Sequence, residues 1–385
     1  MNFDFLNPVE EEVLEFLHTS HPSCIGKNIL IHTSDSFPEL EHAKIAIFGV
    51  LENRREQNRI RDNFDFNSVR KAFYSLFPGN WEENIADLGD IYPGESVEDT
   101  EYAIHEVVKQ LIEKNIIPVI LGGSQDLTYA QYRAYDYRKN MVNVVNIDAK
   151  FDIGNTDSTI DDNSYIGKMI VNPPYNLFNY VNLGYQTYLN PPEEIDLIDK
   201  LFFEAYRLGS ITEDISLAEP ILRDADIVSL DINAISAEAS QNLKDQPNGF
   251  NGREICALIR YAGISDKVSS LGLYNLQNLN IDENNNALLP AEIIWYFIEG
   301  INFRKNEKNI SSSNNFLKYS VPLDNEVLTF YKSIISERWW IEIPTYVNNK
   351  LKKPTFLPCS HKDYLEACNQ EIPDRWYKAR RKNEI

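Results

Sequence analysis

Six short, predominantly apolar segments separated by amphipathic stretches constrain this chain more than any other feature. They are Lys44–Val50, Ile117–Leu121, Val142–Ile147, Val181–Tyr185, Asp226–Leu230 and Val268–Tyr274, each ending in a turn or polar residue. Between them lie helical patterns. The clearest runs from Val97 to Lys114, with Ile104, Val107, Val108, Leu111 and Ile112 at i, i+3 and i+4 spacing, and residues 67–77 give another. Strands that carry apolar residues at both odd and even positions are buried on both faces. The alternation therefore predicts an α/β fold with a mostly parallel sheet covered by helices on both sides. In such sheets ligands collect at the carboxyl ends of the strands. Three motif segments fall there: Leu121-Gly-Gly-Ser-Gln-Asp126, Asp148-Ala-Lys-Phe-Asp152 and Ser229-Leu-Asp-Ile-Asn233.

Charge and cysteine usage narrow the function classes. The net charge of −21 argues against nucleic acid or an anionic membrane surface as the main partner, since both are polyanions. That charge is uneven: residues 350–385 hold nine Lys/Arg against five Asp/Glu, so the tail is positive. Such a tail either docks on an acidic surface, its own or a partner's, or is simply solvated. Cys24, Cys256, Cys359 and Cys368 are scattered, which suits a reducing compartment and not a disulfide framework; His361 near Cys359 and Cys368 matches no zinc spacing. With no basic-then-apolar leader and no long apolar run, a cytoplasmic location is expected. Three regions are expected: an N-terminal helix and linker over 1–43, the α/β domain over 44–316, and an aromatic, proline-rich extension over 317–385. The Trp339-Trp340 pair reads as core packing of that extension, which also offers a surface for a protein partner.

With those motifs, and with Asn67-Ser-Val-Arg70, Asp87-Leu-Gly-Asp90 and Pro247-Asn-Gly-Phe-Asn-Gly-Arg-Glu254 in matching order, the chain resembles the ureohydrolase superfamily of arginase, agmatinase and formimidoylglutamase. The similarity runs from about Lys44 to Arg304. It is nearest to formimidoylglutamase-like proteins, and it implies the three-layer αβα arginase-like fold, commonly in trimers or hexamers. It further implies two manganese ions bridged by carboxylates, with an activated water attacking an amidine-type carbon. By position, one ion would see Gln125, Asp148, Asp152 and Asp231, and the other Asp148, Lys150, Asp231 and Asn233.

Two histidines and an aspartate that the resemblance calls for are replaced here by Gln125, Lys150 and Asn233. All six histidines lie outside residues 106–360. An ammonium cannot ligate a metal, and neighbouring carboxylates raise its pKa. The expectation is therefore that Lys150 stands in for the second ion, pairing with Asp148 and Asp231. At most one Mn²⁺, Mg²⁺ or Ca²⁺ would remain on the oxygen donors. Tyr165 falls where the resemblance calls for a catalytic histidine, and Asn275 where it calls for a substrate-holding glutamate, so both would line a vestigial substrate pocket. The chain is thus expected to be catalytically silent, a binding, scaffold or regulatory component, with no catalytic residue of its own. The alternatives are a residual metal-dependent amidinohydrolase, and a sensor for a small cationic or amide metabolite.

Overall fold

In the computed structural model the described residues are 3–384, except 82–83, 139, 242–245, 280–285, 308–309, 312–313, 324–325, 345, 348–349 and 352–354. The central sheet contains β1 (Leu6–Asn7), β2 (Leu30–Ile31), β3 (Ile45–Val50), β4 (Ile85–Ile91), β5 (Ile117–Gly122), β6 (Val142–Ile147), β7 (Leu177–Tyr185), β8 (Glu204–Arg207), β9 (Ile227–Asp231) and β10 (Ser270–Tyr274). Its order is β1-β4-β3-β5-β10-β9-β6-β7-β8, with β2 beside β4. Every pairing is parallel except β1 against β4.

The doubly buried strands feed two cores. Ile45 and Ile47 of β3, and Ile117, Val119 and Leu121 of β5, join one cluster with helices Asn67–Ser75, Gly252–Ile264 and Leu288–Asn302. Their neighbours Ala46, Phe48, Val50 and Ile120 point the other way, into a cluster with helices Val97–Glu113 and Tyr165–Val171. Period-two side-chain alternation thus assigns each strand residue to one layer or the other, giving the expected αβα sandwich. Helix Val97–Glu113 begins at a capping box, in which the Ser96 side chain accepts from the Asp99 amide and Asp99 reaches back.

Strand β4 lacks the apolar run that marks β3, β5, β6, β9 and β10. Its Asp87-Leu-Gly-Asp90 core is buried only because Arg70, projecting from helix Asn67–Ser75, neutralises both carboxylates. Its Nε donates to Asp87 Oδ2 at 2.9 Å, its Nη1 to Asp90 Oδ2 at 2.9 Å and its Nη2 to the Gly89 carbonyl at 3.0 Å. Tyr74 adds a hydroxyl to Asp87 at 2.8 Å. Gly89 sits at φ +78°, and a Cβ there would lie 1.8 Å from the Asn7 carbonyl of β1. Only glycine lets the edge strand approach.

The extension forms a second sheet of antiparallel strands β11 (Phe316–Pro322), β12 (Val327–Ser333), β13 (Trp339–Ile343) and β16 (Thr355–Cys359), in that order; β14 (Tyr346–Val347) and β15 (Lys350–Leu351) form a separate ribbon. Its core contains Phe330, Trp339, Ile341 and Trp376, and Trp340 is also buried. The basic tail is docked on the chain's own body. Arg375, at the start of helix Asp374–Glu384, pairs with buried Glu204 of β8 at 2.8 Å, and Lys382 donates to Asn179 of β7.

That pairing predicts acid lability. Burial alone would raise the Glu204 pKa, but Arg375 and Lys382 outweigh it and hold the carboxyl at about 2. A carboxyl depressed in the folded state stabilises fully above its unfolded pKa, roughly 4.3. The contribution is lost as the pH falls from there toward 2. Glu204→Gln should accordingly be less stable than the parent at pH 7, and the gap should narrow by about 2–3 kcal/mol by pH 2.5. Urea unfolding at the two pH values measures this, and a gap independent of pH would refute it.

Candidate metal and substrate site

Four strands that are neighbours in the sheet, β5-β10-β9-β6, deliver the motif residues to one place. Gln125 lies just past β5, Asn275 past β10, Asp231 at the end of β9, and Asp148, Lys150 and Asp152 past β6. Together with Asn233, Asp162, Asn163 and Gln246 they line a cavity of about 90 Å³. At roughly 30 Å³ per water, that holds a few waters or a very small molecule.

The loop after β6 is set by amides from neighbouring elements that sequence reasoning did not single out. Asn190 accepts from the Phe151 amide at 2.8 Å and donates to the Ala149 carbonyl at 2.9 Å, while Asn182 donates to the Lys150 carbonyl at 2.7 Å. Asp152 adopts φ +52°, a left-handed turn that Asp tolerates. It carries its carboxylate back toward Asp148.

The acidic groups are buried and under-neutralised. Asp148, Asp152 and Asp231 are 2%, 6% and 7% exposed. Burial, followed by the charge of Asp231, pushes Asp148 up to about 7. Burial and the charge of Asp148 hold Asp152 well above the ordinary carboxylate range. One oxygen of Asp148 accepts from the Lys150 amide at 3.0 Å, whereas its other oxygen and Gln125 Nε2 are buried without hydrogen-bond partners.

Asp231 is handled differently, since its charge is met by amides. Oδ1 accepts from the Asn233 backbone at 2.8 Å and from Asn275 Nδ2 at 2.8 Å, and Oδ2 accepts from Asn233 Nδ2 at 3.3 Å. Asn275 reaches it from a left-handed residue, φ +60°. Behind this pair, Gln277 and Asn278 donate to Glu56 at 3.0 and 3.2 Å. The site is a carboxamide network built around carboxylates.

Two expectations need correction. Lys150 does not pair with Asp148 or Asp231: it is exposed at the cavity mouth, its ammonium donates to Asn163 Oδ1 at 3.1 Å, and among the described residues it forms no ion pair. The reason is geometric, because the turn that points Asp148 and Asp152 inward sends the intervening side chain outward. Its influence is therefore through space. Desolvation lowers its pKa, but the fields of Asp152, Asp148, Asp231 and Asp162 outweigh that and leave it raised. Tyr165 does not line the pocket. It is fully buried beneath the aspartates in the second core, its hydroxyl accepting from Asn146 at 2.5 Å, because a phenol ring there fills the space between sheet and helix.

Comparison with known proteins places this geometry. The arginase family model matches residues 43–299. The formimidoylglutamase of Streptococcus gordonii is 24% identical over 233 residues, covering 56% of this chain and 70% of that protein. That of Staphylococcus aureus is 25% identical over 244 residues, covering 60% and 77%. Among solved structures, the formimidoylglutamase of Bacillus subtilis superposes with a TM-score of 0.63 at 15% identity, covering 74% of this chain and 93% of that one. Trypanosoma cruzi formiminoglutamase with Mn²⁺ gives 0.59 at 16% identity, covering 69% and 96%. These structural likenesses establish the fold. Among the described residues no helix is long and apolar enough to cross a membrane.

Proposed function

This chain belongs to the arginase family, and from that premise we propose that it is a catalytically silent ureohydrolase-fold protein that acts by binding. The observation that carries this reading is the state of Asp231. As the carboxylate that would bridge two ions, it needs open oxygens. Here Oδ1 already accepts from the Asn233 backbone and from Asn275, and Oδ2 accepts from Asn233 Nδ2 at 3.3 Å, so less of its lone-pair capacity is left for a second ion. Amide hydrogens supply in part the positive field that a cation would.

A pair of manganese ions fits this donor set poorly. Imidazole is absent, Lys150 offers an ammonium where a ligand is required, and Asn233 removes a negative charge. One hard cation on Asp148, Asp152, Asp231 and the Gln125 amide oxygen is the most the set would hold. In this reading the asparagines orient Asp231, Lys150 places a cation at the mouth, and the cavity admits only small molecules. The acidic body suits a cationic partner surface.

Manganese loading of the full chain, followed by gel filtration and elemental analysis, tests the reading. At most one equivalent per chain is expected, with no release of glutamate from formimidoylglutamate. Two equivalents, or turnover, would overturn the silent assignment. The combined variant Gln125→His, Lys150→His and Asn233→Asp should gain a second equivalent. If it takes up no more metal than the parent, these positions are not equivalent to the ligand positions of relatives.

A further inference from the structure

The outer edge of β4 is covered in two pieces, and a cavity lies beside the break. β2 pairs with its first residues and β1 with its last. Between them the Leu88 carbonyl is met by a side chain, His32, whose Nδ1 lies 2.9 Å away. A carbonyl can only accept, so Nδ1 carries the proton, and in the neutral ring Nε2 keeps its lone pair. His32 also lines a cavity of about 790 Å³, floored by the buried Phe3, Leu6 and Leu40 and walled by Phe37. The Phe3 and Phe37 rings stack with centroids 5.2 Å apart, and the His32 ring meets Phe37 edge-on at 4.8 Å. The volume lies within the roughly 300–1,000 Å³ of small-molecule pockets, and an apolar, aromatic lining is what such pockets present.

The charged groups that line it are of unequal sign. Asp4, Glu39 and Glu41 are exposed at the rim and share it with a single lysine, Lys114. None of the four makes an ion pair among the described residues. Lys114 is also the C-cap of helix Val97–Glu113, so the negative end of a 17-residue helix adds to the three carboxylates. An acidic rim on a chain of net charge −21 is expected by itself. What selects a ligand is its position around an aromatic floor. The occupant that satisfies both parts carries an apolar body for the rings and a cation for the rim, and aromatic faces themselves attract cations. A second copy of the chain fits poorly, because its body is acidic and its basic tail is already tied to Glu204.

We propose that this pocket binds a small aryl-alkyl ammonium, its ring against Phe3 and Phe37 and its charge among Asp4, Glu39 and Glu41. The pocket shares no residue with the carboxamide network, so it stands whether or not that network is silent. Titration of the full chain with phenethylamine, followed by saturation-transfer NMR at neutral pH and fixed ionic strength, is expected to show saturable binding. Phenylpropionate, which places the opposite charge on a similar skeleton, should bind about tenfold more weakly. The double variant Glu39→Gln, Glu41→Gln should lose about fivefold in affinity for the amine. Both glutamates are exposed and make no hydrogen bond or ion pair among the described residues, so the variant leaves the fold intact. Absence of saturable binding, phenylpropionate binding as tightly as the amine, or unchanged amine affinity in the double variant would each overturn the proposal. Sedimentation of the chain as a dimer that saturating amine dissociates would assign the pocket to a second copy, and would overturn it as well.

Discussion

Replacing Asp148 by asparagine is expected to stabilise the protein near neutral pH, against the usual outcome for a buried residue at a family site. Asp148 has a folded pKa of about 7, raised first by burial and then by Asp231. Its unfolded value is roughly 3.9. A group whose folded pKa is raised favours the folded state below its unfolded pKa, and that advantage is lost as the pH climbs through 4 to 7. Above pH 7 the folded chain carries a charge it accommodates badly, a cost of up to about 4 kcal/mol. Asparagine keeps an oxygen for the Lys150 amide and gains an NH₂ to donate to Asp152, whose carboxylate the same repulsion disfavours. Denaturant unfolding in chelator-treated buffer should show the Asp148→Asn advantage growing by about 2–3 kcal/mol between pH 5 and pH 8. An advantage that shrinks over this range would mean that the buried charge of Asp148 is not a cost to the folded chain, and the proton-compensated picture of the cluster would fall.

Arg70→Leu is expected to give the largest loss of stability in the molecule. The side chain is 1% exposed and is the shared counter-charge of Asp87 and Asp90. Removing it strands two carboxylates inside the sheet edge and frees the Gly89 carbonyl. Breaking a buried ion pair by deleting one partner costs about 3–5 kcal/mol, and here two pairs break at once. A urea midpoint shifted by less than the equivalent of about 1 kcal/mol would show that the cluster is not what holds β4 in place. Adding Asp87→Asn and Asp90→Asn to Arg70→Leu should recover part of the loss, because amides can be buried at far lower cost than carboxylates.

These two sites also mark the boundary of what could be read from the residues alone. Strands with apolar runs, such as Val142–Ile147, were legible because period-two burial on both faces leaves a local signature, although β7 proved longer than expected, starting at Leu177. The strand through Asp87 and Asp90 was legible as a motif but not as a strand. Its burial depends on an arginine seventeen residues earlier in the chain. Short β8 was missed for a related reason: Glu204 reads as a surface residue until Arg375, 171 positions later, arrives to pair with it.

At the candidate site, the residue types and the strand ends that carry them were encoded locally. The absence of histidine from 106–360 already excluded an imidazole-bearing centre among those strand ends. How the remaining charges would be met was not encoded in that way. Spacing placed Lys150 between two aspartates, and a cation between anions invites an ion pair. A left-handed turn at Asp152 instead turned the lysine to the mouth and left compensation to Asn233 and Asn275 and to a raised affinity for protons. Pattern and periodicity record which faces are apolar. The partner of a buried charge is fixed by backbone turns and by side chains from distant strands, and so becomes visible only once the chain is folded.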